Sequence, residues 1–123
     1  MITTNALPAV TGKSCLITLW ILSSLVALAC IAAGGAKLAG AAAMVAVFEK
    51  VGLGQWFRYF TGLLEVVAGI GLLTYRYAFY AAAPLAIIMV GAIIAHVTVL
   101  GSSPAAPVVL LVLAAIIAYL RKP

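Results

Sequence analysis

Four apolar stretches, each near the roughly 20 residues that carry a helix across a bilayer, alternate along this chain with short polar or Gly/Pro-rich breaks. They cover residues 14–37, 56–74, 79–100 and 105–120 in outline. "TYRYAFY" separates the second from the third, and "GSSPAAP", with two prolines, makes a tight turn before the fourth. Between the first and second lies a shorter segment, residues 41–52. There Met44, Val47, Phe48 and Val51 recur at helical spacing, Glu49 and Lys50 fall on the other side, and Gly52 is placed to end a helix. This pattern predicts a short helix lying in the membrane interface or dipping back into the bundle. Residues 1–12 are mixed in character and read as a short mobile tail, and no internal repeat is present.

Composition fixes the solvent these helices need. Of 123 residues, 67% are hydrophobic and 7% charged, and the mean hydropathy is +1.33. A soluble domain of this size leaves much of its surface wet and has nowhere to hide so much apolar area. The expected fold class is therefore all-α: an integral membrane four-helix bundle with a short interfacial or re-entrant helix between spans 1 and 2. Residues 1–123 would form a single transmembrane domain. Lys13 and the stretch after it have the outline of a signal peptide, but the apolar run is long for one, so it is expected to stay as a span.

The formal charge of +5 comes from basic residues scattered singly, which mark helix ends and make no stripe for a phosphate backbone, so nucleic acid is excluded as a partner. With four spans, Lys13, Arg76, Arg121 and Lys122 fall on one side and Lys37, Lys50 and Arg58 on the other. The excess on the first side sets both termini in the cytoplasm. Trp56, Phe57, Tyr59 and Phe60 form an aromatic belt beside Arg58 at one interface, while Trp20, Tyr75, Tyr77, Phe79, Tyr80 and Tyr119 fall at the opposite level. Trp56, Phe57 and Tyr59 are the interfacial aromatics of this reading, and a wall for a flat ligand is its alternative. Cys15 and Cys30 lie on one helix about 22 Å apart, beyond disulfide reach, and no C-x-x-C is present. Dithiol redox chemistry is thereby disfavoured.

Chemistry is concentrated in three residues. Glu65, one of only two acidic residues, sits inside the apolar "TGLLEVVAGIG" of the second span. Seven residues past Arg58, it lies about 10 Å below the interface. Lys37 closes the first span on the same side, and His96 lies near that end of the third, about 6 Å deep. The helix faces agree: Gly62 and Gly69 flank Glu65, Gly34 and Cys30 flank Lys37, and Met89 and Ala92 flank His96. Small residues let membrane helices approach closely, so Gly34, Gly62, Gly69, Gly91 and Ala92 are expected at helix contacts. A charge within a membrane costs at least about 2.5–3.5 kcal/mol, so Glu65 must be protonated or paired with a cation. Lys37 is the first candidate, and His96, whose charge changes near neutral pH, the second. The expectation is a Lys37–Glu65–His96 layer.

That layer has two readings. It is an interhelical pin that fixes register, or it is a pocket that holds a polar head such as a quinone carbonyl, or passes a proton. His96 alone is equally a residue satisfied by backbone or water, and Lys37 alone a snorkelling anchor. No catalytic constellation is present: the chain has no Asp, no Walker loop and no G-x-G-x-x-G. No metal site and no covalently bound cofactor are expected.

"AAGGAKLAG" (32–40), "FEKVGLGQWFRYFTGLLEVVAGIGLL" (48–73) and "MVGAIIAH" (89–96) resemble the DoxX-like family of small four-helix membrane proteins. The matching elements are Lys37 after a Gly-containing stretch, Gly62 and Glu65 in "GLxE", and Gly91, Ala92 and His96 in "GAxxxH". The resemblance implies an inner-membrane, multi-pass protein, and some relatives are subunits of thiosulfate:quinone oxidoreductase or of complexes handling oxidative and thiol stress. With the polar layer, this favours an auxiliary, redox-linked subunit that binds a quinone-like or other small amphipathic molecule, working with membrane protein partners or as a homo-oligomer. The alternatives are a small oligomeric proton-coupled transporter and a purely structural subunit.

Overall fold

Left-handed glycines decide where the first helices stop. The structure, a computed structural model, describes residues 12–74 and 76–123; the expected tail over 1–11 and the aromatic Tyr75 lie outside the described residues. Every regular element among them is helical: α1 (Lys13–Ala39), α2 (Ala42–Val51), α3 (Gln55–Leu72), α4 (Ala78–Ala95) and α5 (Ala105–Arg121). A π-helical turn, His96–Leu100, continues α4. The all-α class expected from hydropathy patterning is what the chain adopts. α1 ends at Gly40 (φ +76°), where Ala41 N–H reaches back to the Ala36 carbonyl at 3.1 Å. α2 ends at Gly52 (φ +84°), whose N–H donates to the Phe48 carbonyl at 3.2 Å. The short helix is thus hung between two residues in a conformation that side chains resist.

Two helices, α1 and the continuous stretch Ala78–Leu100, are long and apolar enough to cross a membrane. α5 is apolar but has 17 residues, and α3 spends Gln55, Arg58 and Glu65 within its 18. Large apolar side chains are exposed on the outward faces of the long helices. Leu28 is 63% exposed and Ile87 73%, with Leu25, Val67, Ile70 and Val112 alongside them. Soluble monomers rarely expose so much contiguous apolar surface.

α1 lies along α3, α4 along α5, and α3 against α4. Leu19, Val26, Leu72, Leu85, Met89 and Ile117 form the centre of the core, drawn from all four long helices. At the end shared by the start of α1 and the finish of α5, the Arg121 guanidinium lies 4.5 Å from the Trp20 ring centre. α3 and α4 are in close contact at Gly71, where an added Cβ would be 2.8 Å from Ala81 Cβ. Three residues on, α4 contains Pro84, which has no N–H for the carbonyl one turn back. Beyond it, Ile88, Gly91, Ala92 and Ala95 of α4 line a cavity shared with α2 and α3.

A cavity beside a buried ion pair

Glycine spacing brings Lys37 and Glu65 together. A Cβ on Gly34 would stand 2.6 Å from the Gly62 carbonyl, and one on Gly62 would stand 2.9 Å from Lys37 Cβ. Lys37 therefore starts directly over Gly62, and Glu65 lies one turn further along the same α3 face. Its Nζ meets Glu65 Oε1 at 2.7 Å, with Glu65 only 5% exposed. Gly69 continues the seam: a Cβ there would be 2.7 Å from Ile31 Cγ1.

Arg58 was expected at the interface as a charge beside the aromatic belt. The structure buries it instead, at 4% exposure. Its Nη1 donates to the Lys37 carbonyl, its Nε to Gln55 Oε1 at 2.7 Å, and its guanidinium stacks 4.3 Å from the centre of the Tyr59 ring. Gln55 Nε2 in turn donates to the Val45 carbonyl at 3.1 Å. Arg58 thus neutralises the negative end of α1 and, through Gln55, ties α2 to the start of α3. Its position in the sequence carried a signal for this: Arg58, Gly62, Glu65, Gly69 and Leu72 share one face at helical spacing, and that face is buried.

His96 does not join the ion pair. Its Nδ1 lies 2.7 Å from the Ala92 carbonyl on its own helix, at the start of the π-helical turn. It lines the same cavity as Lys37 and Glu65, however. That cavity measures about 360 Å³ and lies between α2, α3 and the C-terminal half of α4. Lys37, Glu65, His96 and Thr61 are its polar wall residues, and the Thr61 hydroxyl is engaged with the Phe57 carbonyl at 3.0 Å. Phe48, Phe57 and Phe60 supply aromatic walls.

Two expectations change here, at Gly91 and Phe57, and Ala92 takes a place on the cavity wall. Gly91 does not sit at a helix contact: a Cβ on it would meet nothing within 4 Å, and it lines the cavity. Ala92, half-buried, lines the cavity too and lends His96 its carbonyl. Among the interfacial aromatics, Trp56 and Tyr59 are exposed, but Phe57 is half-buried, turned edge-on to Phe48 at 6.0 Å. The reason is the helical period: with Arg58 fixed inward, Phe57 falls on the side of α3 that meets α2.

Cys15 is exposed and Cys30 buried, both as free thiols. Among the described residues no three His, Cys, Asp or Glu side chains gather where they could hold a metal ion.

No curated protein and no solved structure matches the chain. The sequence model of the DoxX-like family matches residues 21–118, which takes in Lys37, Glu65, His96 and the glycines between them. Together with the two long apolar helices, this points to a membrane protein. On the strength of that match, the chain belongs to the DoxX-like family.

Proposed function

We propose that the chain is a four-span bundle of the cytoplasmic membrane, with both termini in the cytoplasm and α2 at the opposite interface, and that it binds a quinone-like or other small amphipathic molecule as an auxiliary subunit of a redox-linked membrane complex. One observation carries the binding reading: an apolar, aromatic-walled cavity of about 360 Å³ has its ionisable groups, Lys37, Glu65 and His96, on its lining. Ligand pockets are built this way, apolar over most of their lining with a few polar groups that fix orientation, and run from about 300 to 1,000 Å³. A volume at the low end suits a head group whose tail lies outside. Phe60 and Leu64 line the cavity and also reach the outer surface, giving such a tail an apolar track.

Purification from native membranes tests this. Solvent extracts of the wild type should contain a quinone or lipid that falls severalfold in Glu65→Gln, measured by mass spectrometry per mole of protein. Equal retention by both would leave the cavity without a binding role. A reporter fused after Pro123 that works only outside the cytoplasm would overturn the orientation.

The closed Lys37–Glu65 pair and its Arg58 clamp favour one other reading, a purely structural subunit. In that case Glu65→Gln lowers thermal stability and no bound molecule is lost.

A further inference from the structure

The polar wall of the cavity is biased toward acceptors. A carbonyl oxygen can only accept a hydrogen bond, so the 2.7 Å contact with Ala92 places a proton on His96 Nδ1. In the neutral ring the lone pair then sits on Nε2, on the far side of the imidazole from its own backbone. Glu65 holds Lys37 Nζ through Oε1, and a carboxylate keeps further lone pairs. Thr61 offers no proton, because its hydroxyl is directed to the carbonyls of Phe57 and Arg58 at 3.0 and 3.2 Å. Among the described residues that line the cavity, Lys37 is the side chain left to donate. A ligand carrying only carbonyl or ether oxygens can satisfy Lys37 and leaves His96 Nε2 without a partner. A hydroxyl can meet either need, since it donates and accepts.

Shape adds the second constraint. Phe48 and Phe57 meet edge to face at 6.0 Å, and Phe57 and Phe60 are near-parallel, 22° between planes. Gly91, itself exposed, also lines the cavity, and a Cβ there would meet nothing within 4 Å. A side chain added there meets no neighbouring helix, and the space open to it includes the cavity.

We infer that the cavity is a receptor for a hydroxylated ring head group on an apolar tail, the ring's O–H donating to His96 Nε2 and Gly91 setting the room the ring occupies. This rests on the reading of the cavity as a binding site, and the test separates the two. The probes are 4-hexylphenol and its methyl ether, which differ by the proton. Each is titrated calorimetrically into the protein in phosphatidylcholine nanodiscs, with empty nanodiscs subtracted. The wild type should prefer the phenol by roughly three- to tenfold, the worth of one net hydrogen bond. His96→Phe should bring that ratio to about one. Gly91→Val should weaken both probes by roughly tenfold or more through overpacking of the site, with the melting temperature held. Equal binding of phenol and ether by the wild type overturns the donor rule and leaves the cavity a binding site. Binding of neither probe overturns the binding reading itself. Wild-type affinities in Gly91→Val remove Gly91 as the residue that sets the room. The wild-type comparison needs no variant, so a failure of His96→Phe to fold does not blunt it.

Discussion

Gly62 lies in the first half of α3 and Gly91 in the second half of α4, and both border the polar corner, yet one is filled against and the other is not. Lys37 Cβ and the Gly34 carbonyl would stand 2.9 and 3.0 Å from a Cβ on Gly62; nothing would stand within 4 Å of one on Gly91. The α1–α3 seam is thus a closed contact that places charges, while the α3–α4 gap is an open one that leaves a volume beside them. The same residue type serves opposite ends. In the first it lets backbones touch; in the second it keeps a wall thin. If the distinction is real, disturbing the seam should damage the fold, and filling the gap should damage only what the gap holds.

The seam should fail most sharply at Gly34. A valine there puts Cβ 2.6 Å from the Gly62 carbonyl and 3.0 Å from Val66 N, both backbone atoms that cannot step aside. Gly34→Val should lose about 3 kcal/mol, the upper end for overpacking, read as a large fall in melting temperature in detergent. An unchanged melting temperature would mean that α1 and α3 do not close in the isolated protein.

Next in size is the ion pair. Lys37→Met strands a carboxylate that is 5% exposed, and the loss should be about 2 kcal/mol, below the usual penalty for an orphaned buried charge because the lysine end of the pair is itself partly exposed. Adding Glu65→Met should recover most of it. A double variant no more stable than Lys37→Met would show that the pair is not what the seam positions.

Arg58→Lys is the milder probe of the same seam. It keeps the charge but loses the fork that reaches the Lys37 carbonyl and Gln55 at once. The expected loss is about 1 kcal/mol in the same melting assay. A lysine as stable as arginine would reduce the clamp to simple charge compensation at the end of α1.

How far the sequence reveals this contrast depends on whether a feature is periodic. The helical class follows from apolar runs and their breaks, and the meeting of Lys37 with Glu65 from glycines at matching depth and face. The inward turn of Arg58 is written in the same α3 stripe as Gly62 and Glu65, but its aromatic neighbours Trp56 and Tyr59 pull the reading toward the interface. The open side of Gly91 is not legible at all. A glycine pressed on a helix and a glycine facing open space have the same local sequence, and what separates them is which helices pack beside them. The hydrogen bond of His96 to Ala92, four residues back, competes with any partner across the bundle, and residue spacing gives no means of choosing between them.

The smallest expected effect is therefore the most telling, because one chemical change is made twice. Alanine for glycine inside a helix gains about 0.5–1 kcal/mol in backbone propensity where the methyl has room. At Gly91 the room is there, so Gly91→Ala should melt at or slightly above the wild-type temperature while retaining less of the co-purified molecule. At Gly62 the same methyl meets Lys37 Cβ and the Gly34 carbonyl, so the propensity gain is overrun by repulsion and the variant should melt lower. The two substitutions should thus move stability in opposite directions although composition, helicity and hydropathy change identically. A Gly91→Ala protein that melts below the wild type would put a packing partner where the structure shows open space, and the division between seam and gap would go with it.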